Sequence, residues 1–191
     1  MALEQTIIEE WERVRAPSAP ELTEVKLKLK ETAFLVLDIQ NNNCNEDRRL
    51  RCLKRLHHVQ LILEKARNSE MLIIYSLTSA ASRNDIRREI FPKKDEIIIK
   101  SGVDKFYNTE LEGILKSKRI KTVIIVGTSA NGAVLHTTTG AAARGLEIIV
   151  PVDAISSTYP YEEQYAVWHL MNAPGTKKRV ILTKASMIKF V

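Results

Sequence analysis

The chain has 191 residues, 45% of them hydrophobic and 27% charged, which is the composition of an ordinary globular protein with enough length to bury a substantial core. No apolar run approaches the roughly 18–20 residues of a membrane-spanning helix, and the acidic opening Met-Ala-Leu-Glu-Gln-Thr-Ile-Ile-Glu-Glu-Trp is the reverse of a basic signal-peptide start, so a cytoplasmic location and no membrane partner are expected. The net charge of +6 brings nucleic acid into question, but the basic residues are scattered without interleaved aromatics; the densest group, Arg48, Arg49 and Arg51 with Lys54 and Arg55 following, reads as solvated surface, and no nucleic-acid partner is expected.

In chain order, Ile7, Ile8, Trp11 and Val14 fall at helical spacing within residues 4–14, and Pro17 ends the run. This predicts a short amphipathic helix on the domain or on a neighbouring subunit. The alternating Val25-Lys-Leu-Lys-Leu-Lys predicts an exposed extended segment, so residues 1–31 read as a helical and extended arm. Thr32-Ala-Phe-Leu-Val-Leu-Asp38 is a continuous apolar run ending in an acid, the pattern of a parallel strand buried on both faces. Asn41-Asn-Asn-Cys-Asn is a loop, and a surface helix is expected over 49–67. Cys44 and Cys52 suggest neither a disulfide framework nor a zinc spacing.

Further strands are expected at Met71–Ser76, Glu96–Lys100, Thr122–Val126, Glu147–Val150 and Arg179–Thr183. Helices are expected over 108–118, with Asn108 or Thr109 as N-cap, after the turn at 127–133, and from Pro160 or Tyr161 to Asn172. Strands alternating with helices of these lengths call for an α/β three-layer sandwich, a doubly wound, mostly parallel six-stranded sheet between helices, in one domain over 1–191.

Ligands of such sheets gather at strand carboxyl ends and helix N-termini. Three candidates converge there: Asp38 after the first strand, Lys100 after the third, and the turn from Gly127 to Ala133 after the fourth. A carboxylate beside an ammonium eases the charging of both. The carboxylate can then move a proton while N–H groups of the following helix hold a developing oxyanion. The plainer reading is an Asp that caps a turn and a Lys that snorkels to solvent.

Phe34-Leu-Val-Leu-Asp38-Ile-Gln40, Lys100-Ser-Gly-Val-Asp-Lys-Phe106-Tyr-Asn-Thr109-Glu-Leu111 and Val126-Gly127-Thr-Ser-Ala-Asn131-Gly-Ala133-Val together resemble the isochorismatase-like hydrolases, the cysteine hydrolase superfamily, over about residues 32–183. The resemblance implies a six-stranded parallel sheet between helices and a homo-oligomer, dimer or larger. It implies Asp38 as general acid/base and Lys100, six residues before Phe106, as its lysine. A cis peptide at Thr128–Ser129 would shape an oxyanion hole. Gln40, Phe106, Thr128, Ser129, Asn131 and Gly132 would contact the substrate, and Ala133 stands at the position of the family nucleophile.

Alanine forms no acyl intermediate, so covalent amidase chemistry is not expected, and Cys44 lies outside the nucleophile position. The metal ligands of nicotinamidases have no counterpart around 76–85, His57 and His58 point about 100° apart on a helix, and neither metal nor cofactor is expected. His136 is expected in the cleft or the core, and the aromatic-bearing stretch from Glu163 to Leu170 in the core or at a subunit interface. The readings left open are a hydrolase acting on a small anionic or carbonyl-bearing molecule without a covalent cysteine intermediate, an inactive relative that binds a small molecule or is structural, and an alanine introduced in place of a cysteine.

Overall fold

A computed structural model describes residues 5–191. Its strands are β1 (Val25–Lys26), β2 (Thr32–Leu37), β3 (Leu72–Leu77), β4 (Ile97–Lys100), β5 (Thr122–Thr128), β6 (Glu147–Pro151), β7 (Ile155–Ser156), β8 (Val180–Thr183) and β9 (Ile188–Lys189). Its α-helices are α1 (Glu46–Asn68), α2 (Leu111–Ser117), α3 (Leu135–Ala143) and α4 (Pro160–Asn172). The main sheet runs β4-β3-β2-β5-β6-β8 with every pairing parallel, and the short β7 adds to the end of β5. This is the expected α/β sandwich. Residues 1–4 of the expected N-terminal arm, with the first position of its expected helix, lie outside the described residues.

Alternation along β2 builds the two sides. Phe34 and Val36 join the core beneath α1, with Leu56, Val59, Ile62 and Leu63. Ala33, Leu35 and Leu37 join the opposite core, with Leu111 and Leu115 of α2, Ala141 of α3 and Leu170 of α4. Period-two side chains on a strand covered by helices on both faces leave no polar position, hence the uninterrupted apolar run. Each Leu, Ile, Val or Phe so buried contributes about 1.5–3 kcal/mol.

The chain leaves β2 toward β3 and β4 on one side and returns to β5 on the other, so the sheet's switch point lies between β2 and β5. Their register pairs Leu37 with Gly127, while Leu37 faces Ser76 on β3. Gly127 has φ +130, and a Cβ there would lie 2.1 Å from the Leu37 carbonyl oxygen. No other residue fits that approach.

Several expectations are corrected. The arm is no amphipathic helix: over residues 5–14 it forms turns and a 3₁₀ turn at Trp11–Arg13, with Ile7, Ile8, Trp11 and Val14 exposed. Its extended part is used, because β1 pairs in parallel with β9. The helix expected from Asn108 begins at Leu111, with Asn108 at φ +52 and Glu110 at the N-cap. Cys44 and Cys52 form a disulfide, Cα–Cα 5.3 Å, tying the loop after β2 to α1. The seven intervening residues of loop and kinked helix bring the two cysteines together, a folded-back geometry that sequence spacing does not express.

Candidate active site

Asp38 follows the last residue of β2 and turns out of the strand at φ +51, a left-handed conformation that Asp tolerates better than bulkier side chains. Its side chain is buried. Oδ1 accepts a hydrogen bond from the Ser76 hydroxyl of β3 at 2.7 Å, and Oδ2 accepts one from Lys105 Nζ at 2.7 Å. Lys105 has no solvent exposure, and its ammonium also donates to the Gly102 carbonyl at 2.6 Å. A buried ammonium persists only when paired and hydrogen-bonded, and both conditions are met.

The lysine that meets Asp38 is Lys105 and not Lys100. Lys100 ends β4, the edge strand, with its side chain exposed and Leu77 as its register partner. Two strand spacings, roughly 9–10 Å, separate β4 from β2. The segment after β4 folds back to deliver Lys105. Ser101 Oγ donates to the Asp104 carbonyl, Phe106 N–H to Asp104 Oδ1, Thr109 Oγ1 to the Lys105 carbonyl, and Lys105 N–H to Thr137 Oγ1 of α3. Gly140 of α3 has no side chain where Asp104 packs: a Cβ would lie 2.8 Å from Asp104 Oδ1.

Across the switch point, the Thr128–Ser129 peptide is cis, and Ala130–Val134 forms a π-helical turn that continues into α3. Ser157 braces this turn: its hydroxyl accepts from Ala130 N–H at 2.9 Å and donates to Asn131 Oδ1 at 3.1 Å. Ser157 N–H in turn donates to Glu163 Oε1, and Arg51 and Arg55 of α1 clamp the same carboxylate, Arg51 through two bonds of 2.8 and 2.6 Å. Burial pushes the Glu163 carboxyl up, but Arg51, the Ser157 N–H and Arg55 outweigh it and hold it below the ordinary value.

These parts enclose a cavity of about 330 Å³, in the size range of small-molecule sites. Asp38, Thr128, Ser129 and Ala133 line it, together with Asn42, Asn43, Arg48, Arg49, Thr78 and Val103. Four expected contacts lie elsewhere. Gln40 is buried behind the wall, its Oε1 accepting from Thr78 Oγ1. Phe106 packs in the core with the Arg144 guanidinium 4.5 Å from its ring centroid. Asn131 is committed to Ser157. Gly132 does not line the cavity; a Cβ there would lie 2.5 Å from Ser129 Oγ, so it keeps the turn compact.

His136 is exposed on α3, outside both cleft and core. Glu163 to Leu170 divides: Ala166 and Leu170 enter the core, whereas Tyr165 and Trp168 are exposed. Among the described residues no group of three or more His, Cys, Asp or Glu side chains is arranged to hold a metal.

Sequence reasoning missed Ser76, Lys105 and the two arginines. Ser76 is a small polar residue next to the end of the apolar strand Leu72–Leu77, and Lys105 stands directly before the apolar Phe106, signals that by themselves mark neither as a partner of Asp38. Arg48 and Arg49 were read as solvated, yet they stand where α1 starts, one short loop after Asp38.

A family model, the isochorismatase domain, matches residues 32–178. The chain belongs to the isochorismatase family. The isochorismatase family protein YaaI of Bacillus subtilis strain 168 is 28% identical over 162 residues, 74% of this chain and 90% of that protein. The N-carbamoylsarcosine amidase of an Arthrobacter species is 36% identical over 87 residues, 45% of this chain and 33% of the amidase; the chain thus aligns with only a third of that relative's length. A cysteine hydrolase from Pseudomonas syringae pv. phaseolicola 1448A superimposes with a TM-score of 0.75 at 18% identity, over 88% of this chain and 95% of that one, a likeness of fold.

Proposed function

We propose that the chain is an isochorismatase-like hydrolase that acts on a small molecule without a covalent cysteine intermediate, with Asp38 as general acid/base and Lys105 as its charge partner. The observation that carries this reading is the buried Ser76–Asp38–Lys105 set opening onto a cavity whose lining residues include no thiol. Both cysteines of the chain are joined to each other, and Ala133, at the position the resemblance assigns to the nucleophile, contributes only a methyl group.

A carboxylate offers about four lone-pair sites. Ser76 and Lys105 use two, which leaves acceptor capacity for a water or a reacting group in the cavity. In hydrolysis Asp38 takes a proton from water as the water oxygen bonds to the electrophilic carbon, and returns it to the leaving atom. The Lys105 ammonium, 2.7 Å from Oδ2, offsets the charge lost or gained at Asp38 during transfer. The turn leading into α3 presents backbone N–H groups toward a developing oxyanion at Ala133, although those of Ala130, Gly132 and Val134 already donate to Ser157 Oγ and the Ser129 carbonyl.

That no thiol lines the cavity also favours a second reading, a binding protein on this scaffold. One experiment separates them. Purified protein is screened against vinyl ethers, amides and carbamates, and Asp38→Asn is compared on any substrate found. The hydrolase reading expects turnover that falls by about a hundredfold or more in the variant. No turnover across the panel, or an unaffected variant, favours the binding protein. Ala133→Cys is expected to give a thiol that reacts with alkylating reagents faster than a free cysteine, since the site is electropositive; an inert thiol would mean that Ala133 does not occupy the nucleophile position.

A further inference from the structure

Arg48 and Arg49 are unlike the other arginines on this face of α1. Arg51 and Arg55 share Glu163, but among the described residues neither Arg48 nor Arg49 has a carboxylate within ion-pair distance. Their nearest acceptors are the Asn42 and Asn43 carbonyls, each at 3.5 Å, the outer limit of a hydrogen bond. Arg49 Nε is buried and has no protein acceptor. Burial, and then the neighbouring Arg48 charge, push the Arg49 guanidinium below its ordinary range. Leaving a buried charged donor unsatisfied costs more than a neutral one.

Both side chains line the cavity that holds Asp38. Lys105 is matched by Asp38. Glu162, the other carboxylate whose charge acts on Arg49, is committed to the Thr158 and Tyr159 N–H groups. The cavity therefore carries, at Arg48 and Arg49, two guanidinium groups that have no carboxylate within ion-pair distance among the described residues, and Thr128, Ser129 and Ala133 also line it. The backbone arrangement fits this use: α1 departs from helical geometry at Arg49, φ −148 and ψ +71, and the Cys44–Cys52 bridge fastens the preceding loop to the helix.

We infer that Arg48 and Arg49 form an anion subsite, so that the substrate is a small molecule with a carboxylate or phosphoryl group a short distance from its reacting centre. Guanidinium groups bind both anions through paired N–H donors, and an anion there satisfies the buried Nε. The inference rests on reading this cavity as the substrate site. It goes further in naming what the substrate carries and which residues read it, neither of which lies in the strand-end motifs around Asp38 and Ala133.

The test measures binding without turnover. Benzoate, its uncharged counterpart benzamide, and inorganic phosphate are titrated at millimolar concentrations by calorimetry and thermal shift. Benzoate or phosphate is expected to bind and raise Tm, and benzamide to have little effect; preference between the two anions identifies the carboxylate or the phosphoryl group. Arg49→Gln and Arg48→Gln are each expected to weaken anion binding by about tenfold or more. Arg48 is exposed, so its variant carries the test if Arg49→Gln fails to fold. Equal binding of benzamide and benzoate, undiminished affinity in a folded Arg48→Gln, or no binding of either anion would overturn the inference. Asp38→Asn is expected to bind the anion at least as well as the parent. Retained anion binding beside absent turnover would thus sink the hydrolase reading alone, and turnover of uncharged substrates without anion preference would sink the subsite alone.

Discussion

Lys105 holds a fully buried positive charge against Asp38 Oδ2 at 2.7 Å, with Gly102 taking a second ammonium proton. Removing the ammonium strands a carboxylate in the interior, a loss that costs about 3–5 kcal/mol when a buried pair is broken from one side. Lys105→Met is accordingly expected to destabilise by about that much, whereas Lys100→Met, at an exposed edge position, is expected to stay within about 0.5 kcal/mol of the parent. Urea denaturation of both variants checks this contrast. Equal effects would mean that the pairing with Asp38 is not what keeps Lys105 in place. The two lysines lie five positions apart. They differ in what the fold does with them: one stays on the edge strand, the other is turned inward by a loop that Ser101, Asp104, Thr109 and Thr137 tie down.

At the scale of elements, α1 and the loop before it set one side of the cavity. Asn45 caps the helix by accepting the Arg48 N–H at 2.8 Å, and Glu46 and Asp47 occupy the first turn where the helix dipole favours acids. The Cys44–Cys52 bridge closes a loop with a sequence separation of 8, and the chain-entropy relation for so short a loop corresponds to about 2.5 kcal/mol. Reduction, or Cys52→Ser, is expected to lower stability by about that amount, read by denaturation with and without reductant; no change would place the bridge among those whose unfolded state gains nothing from opening. On the facing side Glu163 links Arg51 and Arg55 to Ser157, and through Ser157 to the Ala130–Asn131 turn. Its folded carboxyl lies below the ordinary value. A depressed acid contributes stability above its unfolded pKa, about 4.3, and loses it as pH falls through the lower folded value. Stability of the parent is therefore expected to drop more steeply below about pH 5 than that of Glu163→Gln, measured as urea midpoints across pH. Parallel curves would remove Glu163 from the acid response.

For the whole molecule, the sheet and its two helix layers account for the buried core, but the arm leaves Ile7, Ile8, Trp11 and Val14 exposed, and α4 leaves Tyr165 and Trp168 exposed. Large apolar and aromatic side chains grouped at a surface mark contact sites more often than solvated ones. A homo-oligomer is expected, and deletion of residues 1–14 is expected to reduce its size in light scattering after gel filtration. A monomer in the full-length protein would refute the expectation, and an oligomer unaltered by the deletion would exclude the arm as its support. Location is constrained only in part: among the described residues no helix is long and apolar enough to cross a membrane. The disulfide is a pairing more usual in oxidising compartments than in a reducing cytoplasm.

The layers follow from the residue pattern alone, because continuous apolar strands such as Thr32–Leu37 and Thr122–Thr128 can satisfy both faces only between helices. That pattern also determined where a ligand would meet the sheet, since Asp38 and the Gly127–Ala133 turn are local features at strand ends. What it left open were matters of reach across the fold. Whether Lys100 or Lys105 meets Asp38 depends on β4 being an edge strand and on a loop reversing behind it. Whether Arg48 and Arg49 face solvent or a cavity depends on the kink that starts α1. Cys44 and Cys52 meet only because that same segment folds back on itself. Periodicity reports which face of an element is buried; which side chains from separate elements touch is set by strand order and loop path, and those exist only in the folded chain.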